Sequence, residues 1–347
     1  MRPIAESPHA RVAFGPGSLS QLGELLDGLA VGRVLVVTTA GRSSSLEPVL
    51  GAAGTRITGV APIAREHVPA EVVQQAVQEL DRLRADAVLA VGGGSATGLA
   101  KAIALERGVP VAAVPTTYAG SEMTSIFGVT DGDVKRTGRD ARVAPRVVVY
   151  DPMLTLTLPA SVSAASGMNA IAHAVEALYA PGVTDVVAAA AREAIRRLSE
   201  SLPAIVKRLD DVPARTAAFA GAQAAGVALE RAAMGLHHKI CHVLGGSFGL
   251  PHALTHAIVL PHVVAFNSPA AVDAVAAVAA ALGADEAEAG LHALNRALGL
   301  SQSLTDIGFD EADIPRAAEL VATASYPNPR PVSVDDVRGI LTRASRP

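Results

Sequence analysis

Three features of the chain predict a doubly wound α/β domain followed by an all-α domain. Short β-branched runs alternate with amphipathic stretches through the first 160 residues. A glycine-rich turn closes one of those runs, and beyond residue 160 the sequence is alanine-rich and helical in period.

Residues 34–38 (VLVVT), 87–91 (AVLAV), 109–114 (VPVAAV) and 146–150 (RVVVY) read as buried strands. Between them, residues 71–84 and 97–105 repeat apolar side chains at helical spacing. Strands separated by helices imply parallel pairing. Asp131-Gly132, flanked by short strand-like runs within residues 125–138, predicts an antiparallel hairpin. After residue 160, breaks are expected at Pro181-Gly182, Leu202-Pro203 and Leu250-Pro251, with no strand to the end. The domains are therefore expected at 1–160, nucleotide-binding, and 161–347, all-helical, with a ligand at their interface.

Half of the 347 residues are hydrophobic but only 3% are aromatic, so Ala, Val, Leu and Ile must build the core. A net charge of −4 with no basic run argues against nucleic acid. Cys241 is the only cysteine, which fits a reducing, cytoplasmic setting. No apolar run approaches the length of a membrane span, and the N-terminus lacks the apolar core of a secretory signal.

Gly92, Gly93, Gly94 and Ser95 follow a predicted strand and run into a helix. Glycines admit a phosphate to the backbone, and a helix N-terminus offers it unpaired N–H groups. Thr116, Thr117 and Tyr118 follow the next strand and add hydroxyls at the same sheet edge. A nucleotide across both loops fits. No G-x-G-x-x-G follows the first of these strands, and no acid stands at 38–43 to hold a ribose diol. Arg42 and the neighbouring serines would accept a 2′-phosphate, so NADH and NADPH both stay open.

Six of the ten histidines fall between His237 and His262, a density that core packing does not call for. His238 and His242 share a helical face, as do Asn169 and His173; His252 opens the next helix. His173, His238 and His252 would be the ligands of a divalent metal. Asn169 adds only a neutral oxygen, so the expectation is that no divalent metal is held and that the imidazoles donate hydrogen bonds and carry protons.

The segments GGGSATGLAKAIAL, PTTYAGSEMT, KRTGRD, YDPMLTLTLP, SGMNAIAHAVEALYA, LHHKICHVLGGSFGLPHALTH and YPNPRP resemble the maleylacetate reductases, within the iron-containing (group III) alcohol dehydrogenase superfamily. The resemblance spans nearly the whole chain. It implies a Rossmann-like N-terminal domain and a helical C-terminal one in the dehydroquinate synthase-like fold of that superfamily, NAD(P)H in a cleft between them, and a homodimer. The metal-ligand positions of the metal-using relatives would be Asn169, His173, His238 and His252, with His242 a further active-site histidine. Gly93, Gly94, Ser95, Thr116, Thr117 and Lys135 would match cofactor contacts. Two stretches depart from the family, PGVTDVVAAAAREA after Ala180 and the alanine-rich residues 270–300.

The reaction so implied reduces the C=C bond of maleylacetate, a dianionic enone acid, to 3-oxoadipate in aromatic catabolism. Hydride adds β to the ketone, and His238, His242, His252 or His173 steadies the enolate oxygen or passes the proton. Lys239, His237 and Arg139 are the expected carboxylate partners, with Asn169 and Tyr118 also on the substrate side. The alternatives are a metal-dependent alcohol dehydrogenase, a reductase of a related enone acid from a biosynthetic pathway, a cyclase or lyase using transient NAD, and a non-catalytic nucleotide binder.

Overall fold

The computed structural model describes residues 9–41, 46–132 and 134–346. Arg42 and Ser43, offered above for a 2′-phosphate, lie outside the described residues. The chain forms two compact units, Met1–Leu158 and Pro159–Pro347.

The first unit contains β1 (Arg11–Phe14), α1 (Leu22–Asp27), β2 (Val34–Val37), α2 (Glu47–Ala53), β3 (Ile57–Ala61), α3 (Ala70–Leu83), β4 (Ala87–Gly92), α4 (Gly94–Arg107) and β5 (Val111–Pro115). The hairpin β6 (Ile126–Asp131) and β7 (Val134–Arg139) follows, then β8 (Val147–Tyr150). Six strands form one sheet in the order β1-β8-β5-β4-β2-β3, and every pairing in it is parallel. The hairpin pairs antiparallel by itself.

The buried strands are apolar on both faces, as a covered parallel sheet requires. Leu35, Val37, Val88 and Ala90 face one core with Val73, Val77 and Leu80 of α3 and Leu99 and Ile103 of α4. Val34, Val36, Leu89 and Val91 face the other with Leu22, Leu26 and Val49. This alternation follows from the two-residue period of a strand.

Two strands were not among those expected, β1 and β3. They are the outermost strands of the sheet, short and only part-buried, so their apolar signal is weak. The order reverses at β4, which lies between β2 and β5. In open α/β sheets ligands bind beyond the carboxyl ends of strands at such a reversal. The turn from β4 into α4 stands there.

The second unit is helical: α5 (Ala160–Leu178), α6 (Asp185–Lys207), α7 (Val212–Arg231), α8 (Leu236–Phe248), α9 (His252–Asn267), α10 (Val272–Leu282), α11 (Ala287–Ala297), α12 (Ile314–Ala322) and α13 (Val334–Ala344). Breaks occur at Pro181-Gly182 and Leu250-Pro251, but α6 runs through the one expected at Leu202-Pro203. A proline inside a helix costs about 3 kcal/mol. Leu198, Leu202 and Ile205 are wholly buried on that helix, and each contributes roughly 1.5–3 kcal/mol, so packing prevails.

Helix α5 is buried over every residue from Ser163 to Leu178. Its polar side chains must therefore find partners inside the unit. Among the described residues, no helix is long and apolar enough to cross a membrane.

Candidate active site

Helix α4 begins at Gly94, so the glycine turn itself forms the helix N-terminus. Gly92 ends β4 with φ +150°, and Gly93 is the N-cap without a side-chain cap. Backbone N–H groups of the first turn are thus left for an anion. The Thr116 N–H donates to the Gly92 carbonyl at 2.9 Å, which ties the two loops together. A Cβ on Gly93 would come within 2.7 Å of Thr117 Oγ1 and 2.9 Å of its Cγ2, so only glycine fits. Gly94 has open space where a Cβ would stand.

Thr116 is buried, Thr117 and Ser95 are half-buried, and Lys135 lies on β7 opposite Thr130. Arg139 is exposed at the end of the hairpin. Tyr118 has no exposed surface, and its hydroxyl lies 3.4 Å from Thr155 Oγ1.

In the second unit three helices converge their imidazoles. Asn169 and His173 stand one turn apart on α5; His237, His238 and His242 come from α8; His252 and His256 come from the start of α9. His173 Nδ1 and His238 Nε2 are 2.6 Å apart, and the two rings stack at 4.9 Å. His256 packs edge-on to His252 at 4.5 Å and to His238 at 5.0 Å. His242 lies 6.1 Å from His238 and 6.3 Å from His252, ring centre to ring centre. Both His242 and His252 are half-buried, as is Lys239, so these three edge the array while His173 and His238 sit deeper.

Sequence reasoning missed the group that organises this array. Glu176, one turn beyond His173 on α5, is buried and accepts a 2.5 Å bond from His238 Nδ1. It also accepts backbone N–H bonds from Gly235 at 3.0 Å, His237 at 2.8 Å and His238 at 3.3 Å. These are the unpaired donors of the α8 N-terminus, so Glu176 caps that helix from across the unit. Burial raises its pKa, but His238, His237 and the Gly235 N–H outweigh that and hold it lowered. Gly235 is required here, because a Cβ would lie 2.5 Å from the Pro327 carbonyl. The available signal was an acid within AIAHAVEALYA, seven residues after Asn169 and so on its face.

The proton positions follow from Glu176. A carboxylate accepts only, so His238 carries its proton on Nδ1 and presents a bare lone pair at Nε2. Burial, then the neighbouring His238, His252 and His237, push His173 well below the usual histidine range. Burial and the same crowding of rings act on His256 in the same direction. His237, offered above as a carboxylate partner, is wholly buried and lowered to about 3, chiefly by burial. Its Nε2 is 2.8 Å from His256 Nδ1, so a neutral His237 braces the array from behind.

A second charged residue missed in the sequence supports the loop after β5. Lys101 is buried in α4, and its Nζ donates to the Ser121 carbonyl, Thr124 Oγ1 and the Ile126 carbonyl at 2.6–2.9 Å. Buried Glu122 accepts from the Tyr150 hydroxyl at 2.7 Å beside it. Together they pin the segment that follows Thr116 and Thr117 to the sheet.

Residues 8–152 match the family described as iron-containing alcohol dehydrogenase, and residues 163–345 match the C-terminal part of the Fe-containing alcohol dehydrogenase family. The chain belongs to the iron-containing alcohol dehydrogenase family. It is 48% identical to the maleylacetate reductase of Burkholderia cepacia, over 98% of this chain and 97% of that protein. The crystal structure of maleylacetate reductase from Agrobacterium tumefaciens superposes with a TM-score of 0.91 at 41% identity, covering 99% of this chain and 98% of that one. An iron-containing alcohol dehydrogenase from Corynebacterium glutamicum superposes with a TM-score of 0.91 at 38% identity, over 99% of this chain and 97% of that one. The protein is an oxidoreductase of this family.

Membership corrects the expectation that no divalent metal is held, since the family is an iron-containing one. The residues fit a cation. Asn169 Oδ1 is shut off from solvent and has no hydrogen-bond partner among the described residues. His173 Nδ1 and His238 Nε2 already aim at one another, and a cation would replace their shared proton. The earlier expectation rested on the neutral Asn169. Uncharged imidazoles are good ligands without a directly bound acid, and Glu176 places its negative charge one residue behind. Asn169, His173, His238 and His252 would hold the ion.

Proposed function

We propose that the chain reduces the C=C bond of maleylacetate to give 3-oxoadipate, with NADH or NADPH as reductant. The observation that carries this reading is near full-length similarity to maleylacetate reductases, joined to Asn169 in the imidazole array. A bound nicotinamide supplies the hydride, and a bound cation supplies a Lewis acid for a substrate oxygen.

The chain's own residues do the rest. The α4 N-terminus and the 116–117 loop bind the dinucleotide phosphates. Lys239 pairs with a substrate carboxylate; partial burial lowers its pKa and strengthens that pairing by thinning the water around it. Hydride adds to the carbon β to the ketone, negative charge moves to the ketone oxygen, and a proton then completes the α carbon. His242, half-buried at the edge of the array, delivers that proton in this reading. Glu176 fixes the His238 tautomer throughout. The lone buried thiol, Cys241, supports a reducing compartment.

Oxidation of NADH and of NADPH is to be followed with maleylacetate and, separately, with simple aldehydes. Turnover of maleylacetate with one NAD(P)H consumed per 3-oxoadipate formed supports the reading. Activity confined to aldehydes overturns it in favour of an alcohol dehydrogenase.

A further inference from the structure

Away from the histidine array, two other helix faces bring metal-binding side chains together. His262 on α9 meets Glu288 and His292 of α11, and one ligand atom from each lies within 4.8 Å of the others. The His262 and His292 rings stand 5.3 Å apart at 71°. Glu288 and His292 are four residues apart and share one face of α11. The Asn295 amide donates to the Ala257 carbonyl at 2.7 Å and fixes how α11 lies on α9. His262 Nδ1 is shut off from solvent and has no hydrogen-bond partner among the described residues. A buried imidazole nitrogen without a partner costs free energy that a ligand would recover.

We propose that His262, Glu288 and His292 form a second divalent-cation site, of the zinc class, that ties α9 to α11. Two imidazoles and one carboxylate are a donor set that borderline-soft cations accept, with water completing four-fold coordination. A cation binds an imidazole through a nitrogen free of other partners, which His262 Nδ1 is among the described residues. Arg343 also faces this ring and opposes a cation; the Glu288 carboxylate offsets that charge. The site is separate from the first, because ten residues of helix place His262 about 15 Å along the axis from His252. A cation there would anchor the far end of the helix that carries His252 and His256 into the active site.

The test uses the full chain with its active-site centre already loaded, dialysed against Zn2+ alone and then assayed for bound metal. The wild type is expected to retain one additional equivalent of Zn2+, and its melting temperature to rise with it. His292→Ala should lose that equivalent and the rise. Glu288→Gln, an exposed change that leaves packing untouched, should weaken binding at least ten-fold. Both variants should keep turnover within two-fold of wild type. No additional equivalent in the wild type overturns the proposal. So does an equivalent that survives in both variants with unchanged affinity.

Discussion

Glu176 controls which nitrogen of His238 is free, and the consequence of changing it can be worked out atom by atom. Glu176→Gln keeps the volume but turns one accepting oxygen into an amide donor. The remaining carbonyl oxygen keeps the place that accepts from His238 Nδ1 and from the Gly235 and His238 N–H groups, so the amide faces the His237 N–H. The His238 ring then loses the negative charge that holds its proton on Nδ1 and leaves the Nε2 lone pair to His173 and a cation. Partners of this kind behind a metal ligand are worth roughly 10–100-fold in metal affinity or activity. The expected result is a loss of about that size in kcat and in metal affinity, with KM for NADH unchanged. Steady-state kinetics beside a metal titration checks it; a variant that loses only melting temperature would show that Glu176 merely packs. At this scale the sequence was half legible. The histidines announced themselves by density, whereas Glu176 and Lys101 each look like a single charge in an apolar helix until the fold supplies partners. His237 shows the reverse, since its position in the cluster says nothing of the complete burial that keeps it neutral.

At the scale of elements, the candidate residues stand on two turns of the first unit and on three helices, α5, α8 and α9, of the second. The β4–α4 turn works because Gly93 lets Thr117 approach and Thr116 binds back to Gly92. Gly93→Ala forces a methyl against a β-branched side chain whose rotamers are restricted, so the loop must shift rather than the side chain. KM for NADH should rise about ten-fold, equal to roughly 1.4 kcal/mol, while the sheet and its far-ultraviolet circular dichroism stay intact. An unchanged KM would remove this turn from the cofactor site. The turn could be read from the sequence because glycines there break the strand period sharply. Its exact start could not: the helix was expected at Thr97, but it begins at Gly94 with Gly93 as its cap. Edge strands β1 and β3 escaped for a different reason. Four and five residues long and mostly part-buried, they are too short to show a period.

For the whole molecule, fold class was the most legible property, since strand–helix alternation followed by alanine-rich helices leaves few architectures. What no periodicity conveys is how the chemistry is divided. The turns proposed for the phosphates lie in the unit Met1–Leu158, and the converging imidazoles lie in Pro159–Pro347. That division predicts where a partial ligand acts. ADP-ribose has the phosphates and both riboses of the dinucleotide but no nicotinamide, so it should engage the first set alone. A ligand that binds only the folded state stabilises by about 2.7 kcal/mol at a hundred times its dissociation constant. Amide hydrogen exchange at residues 93–97 and 116–121 should then slow by up to about 100-fold. Residues 169–176 and 236–242, which hold the imidazoles and Glu176, should exchange as they do in the free protein. Mass spectrometry of deuterium uptake reads both sets at once. Slowing confined to the second unit would mean that the dinucleotide is not held by the glycine turn at all.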